Sequence, residues 1–163
     1  MKKVSIAVIG CGRIGQMHAK NVQLHEKTNL ACIYDPNDEF AKKISNDLDV
    51  EAVKNVDEIF NNDEIDAVLI SSPTNTHIDF IEKSVAAKKP VFCEKPIDLD
   101  IHKVNECSKR LEGNTIPIQL GFNRRFDPGH QAAKKSLTNG EIGDLHQCLI
   151  TSRDPGLPSW DYL

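Results

Sequence analysis

The sequence is poor in several features that would point to specialised partners. Of its 163 residues only one is Trp, two are Tyr and two are Met, and aromatics make up 6%. Lys and Arg number 20 against 24 Asp and Glu, for a net charge of −4, and the basic residues form no stripe or cluster. Nucleic acid is therefore not an expected partner. No apolar run approaches the length of a membrane span. The start does not read as a signal peptide, because the apolar run Val4–Ile9 is short and leads straight into a glycine loop. The five cysteines, Cys11, Cys32, Cys93, Cys107 and Cys148, are odd in number, widely separated and form no C-x-x-C. They read as reduced thiols filling small apolar spaces, and a cytoplasmic location follows. No spacing of His, Cys and Asp suggests a metal.

What is present is a regular alternation of short β-rich runs and longer helical stretches, which predicts parallel strands joined by helices. Strands are expected at Val4–Ile9, Leu30–Tyr34, weakly at Val50–Val53, at Ala67–Ile70, Val91–Cys93 and Ile116–Leu120. Helices are expected from Arg13 to about His25, from a cap at Asn37 to Asp47, briefly at Asp57–Phe60, from Thr76 to Lys88 and from Asp100 to Leu111. Residues 1–121 thus predict a complete doubly wound domain with a six-strand parallel sheet. Beyond it, 122–163 offers one helix, Pro128–Leu137, and one alternating strand, Leu145–Ser152. One helix and one strand cannot bury their apolar faces alone. This stretch therefore predicts the beginning of a second domain, and the uncovered strand predicts self-association or a partner that supplies the remainder.

Gly10-Cys11-Gly12-Arg13-Ile14-Gly15 matches G-x-G-x-x-G. The pattern is weak alone but follows an apolar strand, opens an amphipathic helix, and has an acid, Asp35, 20 residues after Gly15. Gly10 suits a tight turn, Gly12 leaves room for a pyrophosphate, and Gly15 lets the helix lie close to the sheet. Free N–H groups at the helix start then face the phosphates. Asp35 would accept hydrogen bonds from the ribose of NAD but repel the 2′-phosphate of NADP. Two unit charges about 4 Å apart interact by roughly 4 kcal/mol at an effective dielectric near 20, less when exposed. NAD is the expected cofactor; a plain turn before Pro36 is the alternative for Asp35.

Glu94-Lys95-Pro96 directly follows the strand Val91–Cys93. Together with the run from Gly10 to Asn21, Ser72-Pro73-Thr74 with His77, and Gly121-Phe122-Asn123-Arg124-Arg125-Phe126-Asp127, it closely resembles the glucose-fructose oxidoreductase / inositol dehydrogenase (Gfo/Idh/MocA) family. Ser152-Arg153-Asp154-Pro155 leans toward the myo-inositol 2-dehydrogenase branch. The resemblance implies a Rossmann fold and hydride transfer from a polyol or sugar CH–OH to NAD. It implies that Lys95 contacts the substrate hydroxyl and assists its deprotonation, with a cis peptide before Pro96. Ser71, Ser72, Thr74, Asn75, His77 and Glu94 would border the cofactor beside Gly10, Gly12, Arg13, Ile14, Gly15 and Asp35. Asn123, Arg124 and Asp154 would line the polyol site. His18 reads instead as a packing or capping residue.

Full-length members of that family continue into a second α/β domain with an Asp and a His separated by three residues, the His serving as general base. The sequence ends before any such second-domain pair, so the chain alone is expected to hold NAD but to lack turnover. A noncatalytic NAD-binding or partner-binding module is the alternative from another class. A methyltransferase on a similar fold fits less well, given the third glycine and the lysine after the strand at 91–93. A short-chain dehydrogenase is disfavoured because Tyr34 is followed at the Tyr-x-x-x-Lys spacing by Asp38, and Tyr162 by the end of the sequence.

Overall fold

The computed structural model describes residues 2–153 and Gly156. The chain divides into two compact units, Met1–Phe122 and Asn123–Leu163. In the first, five strands form one parallel sheet: β1 (Val4–Ile9), β2 (Thr28–Tyr34), β3 (Ala67–Ile70), β4 (Val91–Cys93) and β5 (Ile118–Leu120), in the spatial order β2-β1-β3-β4-β5. The connecting helices are α1 (Arg13–Leu24), α2 (Asp38–Leu48), α3 (Asp57–Asn61), α4 (His77–Ala86) and α5 (Ile101–Arg110). Strand order reverses at β1, so the carboxyl ends of β1 and β3 flank a crevice where the chain departs in opposite directions. Open α/β sheets bind their ligands at such a switch point.

Both sheet faces are apolar because helices cover both. One face carries Ala7, Ile9, Val68, Ile70, Val91 and Cys93, packed with Ile59 and Ile81 of α3 and α4. The other carries Val8, Ile33 and Leu69, packed with Ala19, Val22 and Ile44 of α1 and α2. The β-branched residues that make β1 and β3 good strands are thus the same residues that fill the core.

Several expectations require correction. Val50–Val53 is not a strand. It makes a single parallel bridge, Ala52 to Ile33, through Ile33 N–H to Glu51 O at 2.9 Å and Val53 N–H to Ile33 O at 3.0 Å. The sheet therefore has five strands rather than six. β5 begins at Ile118, because Pro117 has no N–H and the Asn114 side chain ties off both the N–H and the C=O of Ile116. Asn37 and Asp100 cap α2 and α5, accepting from Glu39 N–H and His102 N–H. Thr76 does not cap α4: its hydroxyl turns back to Pro73 O and Ser72, closing a 3₁₀ turn at Thr74–Thr76.

In the second unit the described residues form a 3₁₀ turn at Asn123–Phe126 and α6 (Pro128–Thr138), capped by Asp127. Leu145–Ser152 is not a strand among the described residues, and Leu145, Leu149 and Ile150 are exposed. An extended segment becomes a strand only when neighbouring backbone supplies its hydrogen bonds, and no described segment does so. No helix among the described residues is long and apolar enough to cross a membrane.

The end of α4 shows what the sequence pattern concealed. Lys88 N–H donates to Val85 O and Lys89 N–H to Ser84 O, which closes the helix with a reciprocal pair of backbone bonds. That closure puts Lys88 at φ 57, a left-handed conformation normally given to glycine. Lys89 turns inward, only 5% exposed, and its ammonium donates to Asn62 O and Ile65 O, both at 2.8 Å. Lys88→Gly is expected to raise stability by about 1 kcal/mol, since a left-handed L-residue costs roughly 1–2 kcal/mol and the added chain freedom of glycine returns part of it. Urea denaturation at equilibrium measures this; a loss of stability would contradict the strain at this position.

Candidate nucleotide-binding site

The glycine loop joins β1 to α1, and its three glycines answer to different constraints. Gly10 has φ +96, and a Cβ there would run into the backbone of Ser71 and Ser72. At Gly15 a Cβ would overlap the Gly10 carbonyl. These two are required by the fold itself. Gly12 is not: its φ is −67, open to any residue, and a Cβ would meet nothing within 4 Å. Space left open at the start of α1, with no need inside the protein for glycine, is the mark of a close approach from outside. Helix α1 also lacks a capping side chain and has no acid in its first turn. Its first N–H groups thus have no internal acceptor, which suits the diphosphate of a dinucleotide. Arg13 and Ile14 stand exposed beside this opening.

The loop is fastened on both sides. From β2, the Asp35 carboxylate accepts Cys11 N–H at 2.7 Å with one oxygen and Asn37 N–H at 2.8 Å with the other. From β3, the Ser71 hydroxyl lies 3.0 Å from Gly10 O and 3.2 Å from Ile9 O, and donates toward them. Asp35 is half-buried at the end of β2. Each carboxylate oxygen has a second acceptor position, so the group can hold the loop and still receive a ribose hydroxyl. Ser71, expected at the cofactor, directs its hydroxyl into the framework instead. The Ser72 hydroxyl is paired with Thr76 at 2.6 Å, while Thr74 and Asn75 lie on the 3₁₀ turn with Asn75 exposed.

Glu94-Lys95-Pro96 leaves β4 at the same sheet edge. Glu94 N–H still pairs with Ile70 O at 2.9 Å, and the Lys95–Pro96 peptide is cis. The Glu94 carboxylate is engaged at both oxygens: Oε1 lies 2.8 Å from His18 Nε2, and Oε2 accepts Lys95 N–H at 3.2 Å. His18, 15% exposed, also sets its ring edge against Phe92 at a centroid distance of 5.5 Å. Its partner lies 76 residues away, so nothing in the sequence marked it. His77 is 1% exposed, with Nδ1 2.7 Å from Pro96 O and Nε2 2.8 Å from Ser72 O. Buried in this way, it links the two loops. Lys95 is exposed.

Asn123 and Arg124 belong to the second unit, exposed on its 3₁₀ turn, with Arg124 Nη1 4.0 Å from Asp127 Oδ2. Asp154 lies outside the described residues. Burial, followed by the nearby Asp35 charge, pushes the Cys11 thiol up to about 12; burial and then the Glu94 charge do the same to Cys93, also about 12. Both stay protonated and serve as packing, as their spacing suggested. No group of three or more potential metal ligands occurs among the described residues.

Residues 4–122 match the Gfo/Idh/MocA oxidoreductase family, described as having an NAD-binding Rossmann fold. Inositol 2-dehydrogenase of Rhizobium meliloti is 41% identical over 160 residues, covering 98% of this chain and 48% of that protein. Myo-inositol 2-dehydrogenase of Thermotoga maritima is 39% identical over 97% of this chain and 48% of its own length. The crystal structure of scyllo-inositol dehydrogenase from Lactobacillus casei with bound cofactor NAD(H) and scyllo-inositol superposes with a TM-score of 0.81. It is 34% identical over 88% of this chain and 43% of that one. The chain spans about half the length of the curated relatives it matches. With the glycine loop, Asp35 and the Glu94-Lys95-Pro96 turn gathered at one sheet edge, the chain belongs to the Gfo/Idh/MocA family of oxidoreductases with an NAD-binding Rossmann fold.

Proposed function

We propose that residues 1–121 bind NAD on behalf of a dehydrogenase that oxidises a CH–OH group of a polyol or sugar, of the inositol 2-dehydrogenase type, and that 122–163 begin the substrate domain. The observation that carries this reading is the open position at Gly12, set between two glycines the fold cannot replace, at the free start of α1. In this reading the N–H groups of Gly12, Arg13 and Ile14 receive the pyrophosphate, with Gly10 and Gly15 shaping the turn. Asp35 receives the adenosine ribose. Ser72, Thr74 and Asn75 border the cofactor from the β3 side, with Ser71, His77 and Glu94 holding that border in place. The nicotinamide, when bound, accepts the hydride.

The remaining chemistry belongs to protein side chains. Lys95, exposed at the carboxyl edge of β4, is placed to donate to the substrate oxygen and stabilise its charge as the C–H bond breaks. Asn123, Arg124 and Asp154 are proposed to hold the other hydroxyls of the polyol. No described histidine at this edge is free to take the hydroxyl proton: His18 is paired with Glu94, and His77 is buried with both nitrogens in contact. The base is therefore assigned to the part of the relatives that this chain does not span.

Gly12→Val should abolish NAD binding while leaving the melting temperature nearly unchanged, because its methyls enter free space. Gly15→Ala should lower stability instead, through overlap with the Gly10 carbonyl. Calorimetry and thermal melts on both variants separate the two roles, and equal NAD affinity in wild type and Gly12→Val would remove the phosphate-loop assignment. Asp35→Ser should narrow a preference for NAD over NADP of about tenfold or more. It should also weaken NAD binding, since Cys11 N–H loses its acceptor; an unchanged NAD/NADP ratio would leave Asp35 a turn residue.

Turnover of the 163-residue chain with myo-inositol and NAD should fall about 10⁴-fold or more below that of a complete enzyme. Misalignment accounts for about a hundredfold of this and the absent base for another 10²–10⁴-fold. Fusing the C-terminal half of a related inositol dehydrogenase should restore NADH production, and Lys95→Met should remove it. Robust NADH formation by the unmodified chain would overturn the assignment of the proton acceptor.

A further inference from the structure

We propose that His18 and His77 are positioning residues that brace the backbone on either side of Lys95. This inference rests on the reading of Lys95 as the lysine that meets the substrate. The Lys95 side chain is exposed, and its ammonium makes no hydrogen bond or ion pair among the described residues. Its direction is consequently set by the peptide groups around it.

On the amino side, Lys95 N–H donates to Glu94 Oε2 at 3.2 Å, while Glu94 Oε1 meets His18 Nε2 at 2.8 Å. A carboxylate on a free side chain would give the N–H a mobile acceptor. Here it is pinned: His18 fixes one oxygen, and the carboxylate lies against Gly121, where a Cβ would come within 3.2 Å of Oε1 and of the carboxyl carbon. Phe92, 5.5 Å from the His18 ring, fixes the imidazole in turn. Helix α1, which carries His18, is the same helix whose start forms the glycine loop. The brace thus refers the position of Lys95 to the element that would bind the cofactor's phosphates.

On the carboxyl side, Pro96 has no N–H, so its carbonyl is the first backbone group after Lys95 that can be held by a hydrogen bond. His77 Nδ1 meets it at 2.7 Å, and His77 Nε2 meets Ser72 O at 2.8 Å. Both oxygens are acceptors only. With its hydrogen on Nδ1 the ring donates to Pro96 O, and Ser72 O stands against its other nitrogen. The ionisable groups near this brace are Asp79 on α4, which is exposed, and Glu94, Lys95 and Asp98 on the strand-end segment. Glu94 is committed to His18, and Asp98 accepts Asp100 N–H. Through these two contacts His77 links the turn after β4 to the loop after β3, on one side of the crevice.

The test uses the 163-residue chain and reads amide hydrogen exchange at Lys95, with the amides of β1 as a control for intact folding. His18→Leu should speed exchange of the Lys95 amide about tenfold or more without changing β1. His18→Gln, which can still donate to Glu94, should restore protection. Because replacing buried His77 risks unfolding, its side of the brace is read in the unmodified protein, where ¹⁵N spectra of the ring should show a hydrogen on Nδ1, the nitrogen that meets Pro96 O. An unchanged Lys95 exchange rate in His18→Leu, or a bare Nδ1 at His77, would overturn the proposal. Failure of the Lys95 reading itself registers elsewhere, as undiminished NADH production by Lys95→Met in the fused enzyme.

Discussion

Helix α1 rests directly on the carbonyl of Gly10, and this close approach governs the geometry of the site. It requires a residue with no side chain at Gly15, and it requires Gly10 to adopt φ +96 so that its carbonyl points beneath the helix. Once the two are in contact, the start of α1 is aimed along the carboxyl end of β1 with its N–H groups unspent. Asp35 and Ser71 then hold the loop from either neighbouring strand, through Cys11 N–H and the Gly10 carbonyl. Removing any of these would leave the glycine pattern in place but lose the rigid cradle that makes it useful, because a loop ordered only on binding spends affinity on its own ordering.

The same division of labour recurs along the sheet edge. Side chains that a motif comparison assigns to the cofactor turn out to serve the framework: Ser71 bonds the loop, Glu94 bonds His18 and Lys95 N–H, and His77 bridges two carbonyls from within the core. Among the described residues, the surfaces left open at this edge include Gly12 with the start of α1, Arg13, Ile14, Asn75, the remaining acceptor positions of Asp35, and Lys95. A binding site of fixed geometry needs such a supporting shell of packed side chains and hydrogen bonds.

The two compact units differ in how much of their order they generate themselves. Met1–Phe122 has helices on both faces of a parallel sheet and a contiguous apolar core, so it satisfies its own hydrogen bonds and burial. In Asn123–Leu163, α6 buries no residue, and Leu145, Leu149 and Ile150 stay exposed. The chain spans about half the length of the curated relatives it matches.

Local chemistry was enough to determine much of this molecule. Apolar runs of four to six residues with β-branched side chains marked β1 and β3, Asn37 and Asp100 marked helix starts, and the spacing from Gly15 to Asp35 marked a dinucleotide site. Each of these signals acts within a few residues or at the end of an adjacent strand, so it is written in consecutive letters. Only the tertiary structure decided that Val50–Val53 and Leu145–Ser152 would not be strands, because pairing depends on partners that pattern alone cannot supply. It also decided that Lys88 would occupy a glycine conformation, that Lys89 would be buried on two carbonyls, and that His18 would meet Glu94 across 76 residues. Those outcomes arise where distant segments compete for the same hydrogen bonds and the same volume. Such competition is resolved only when the chain has closed on itself.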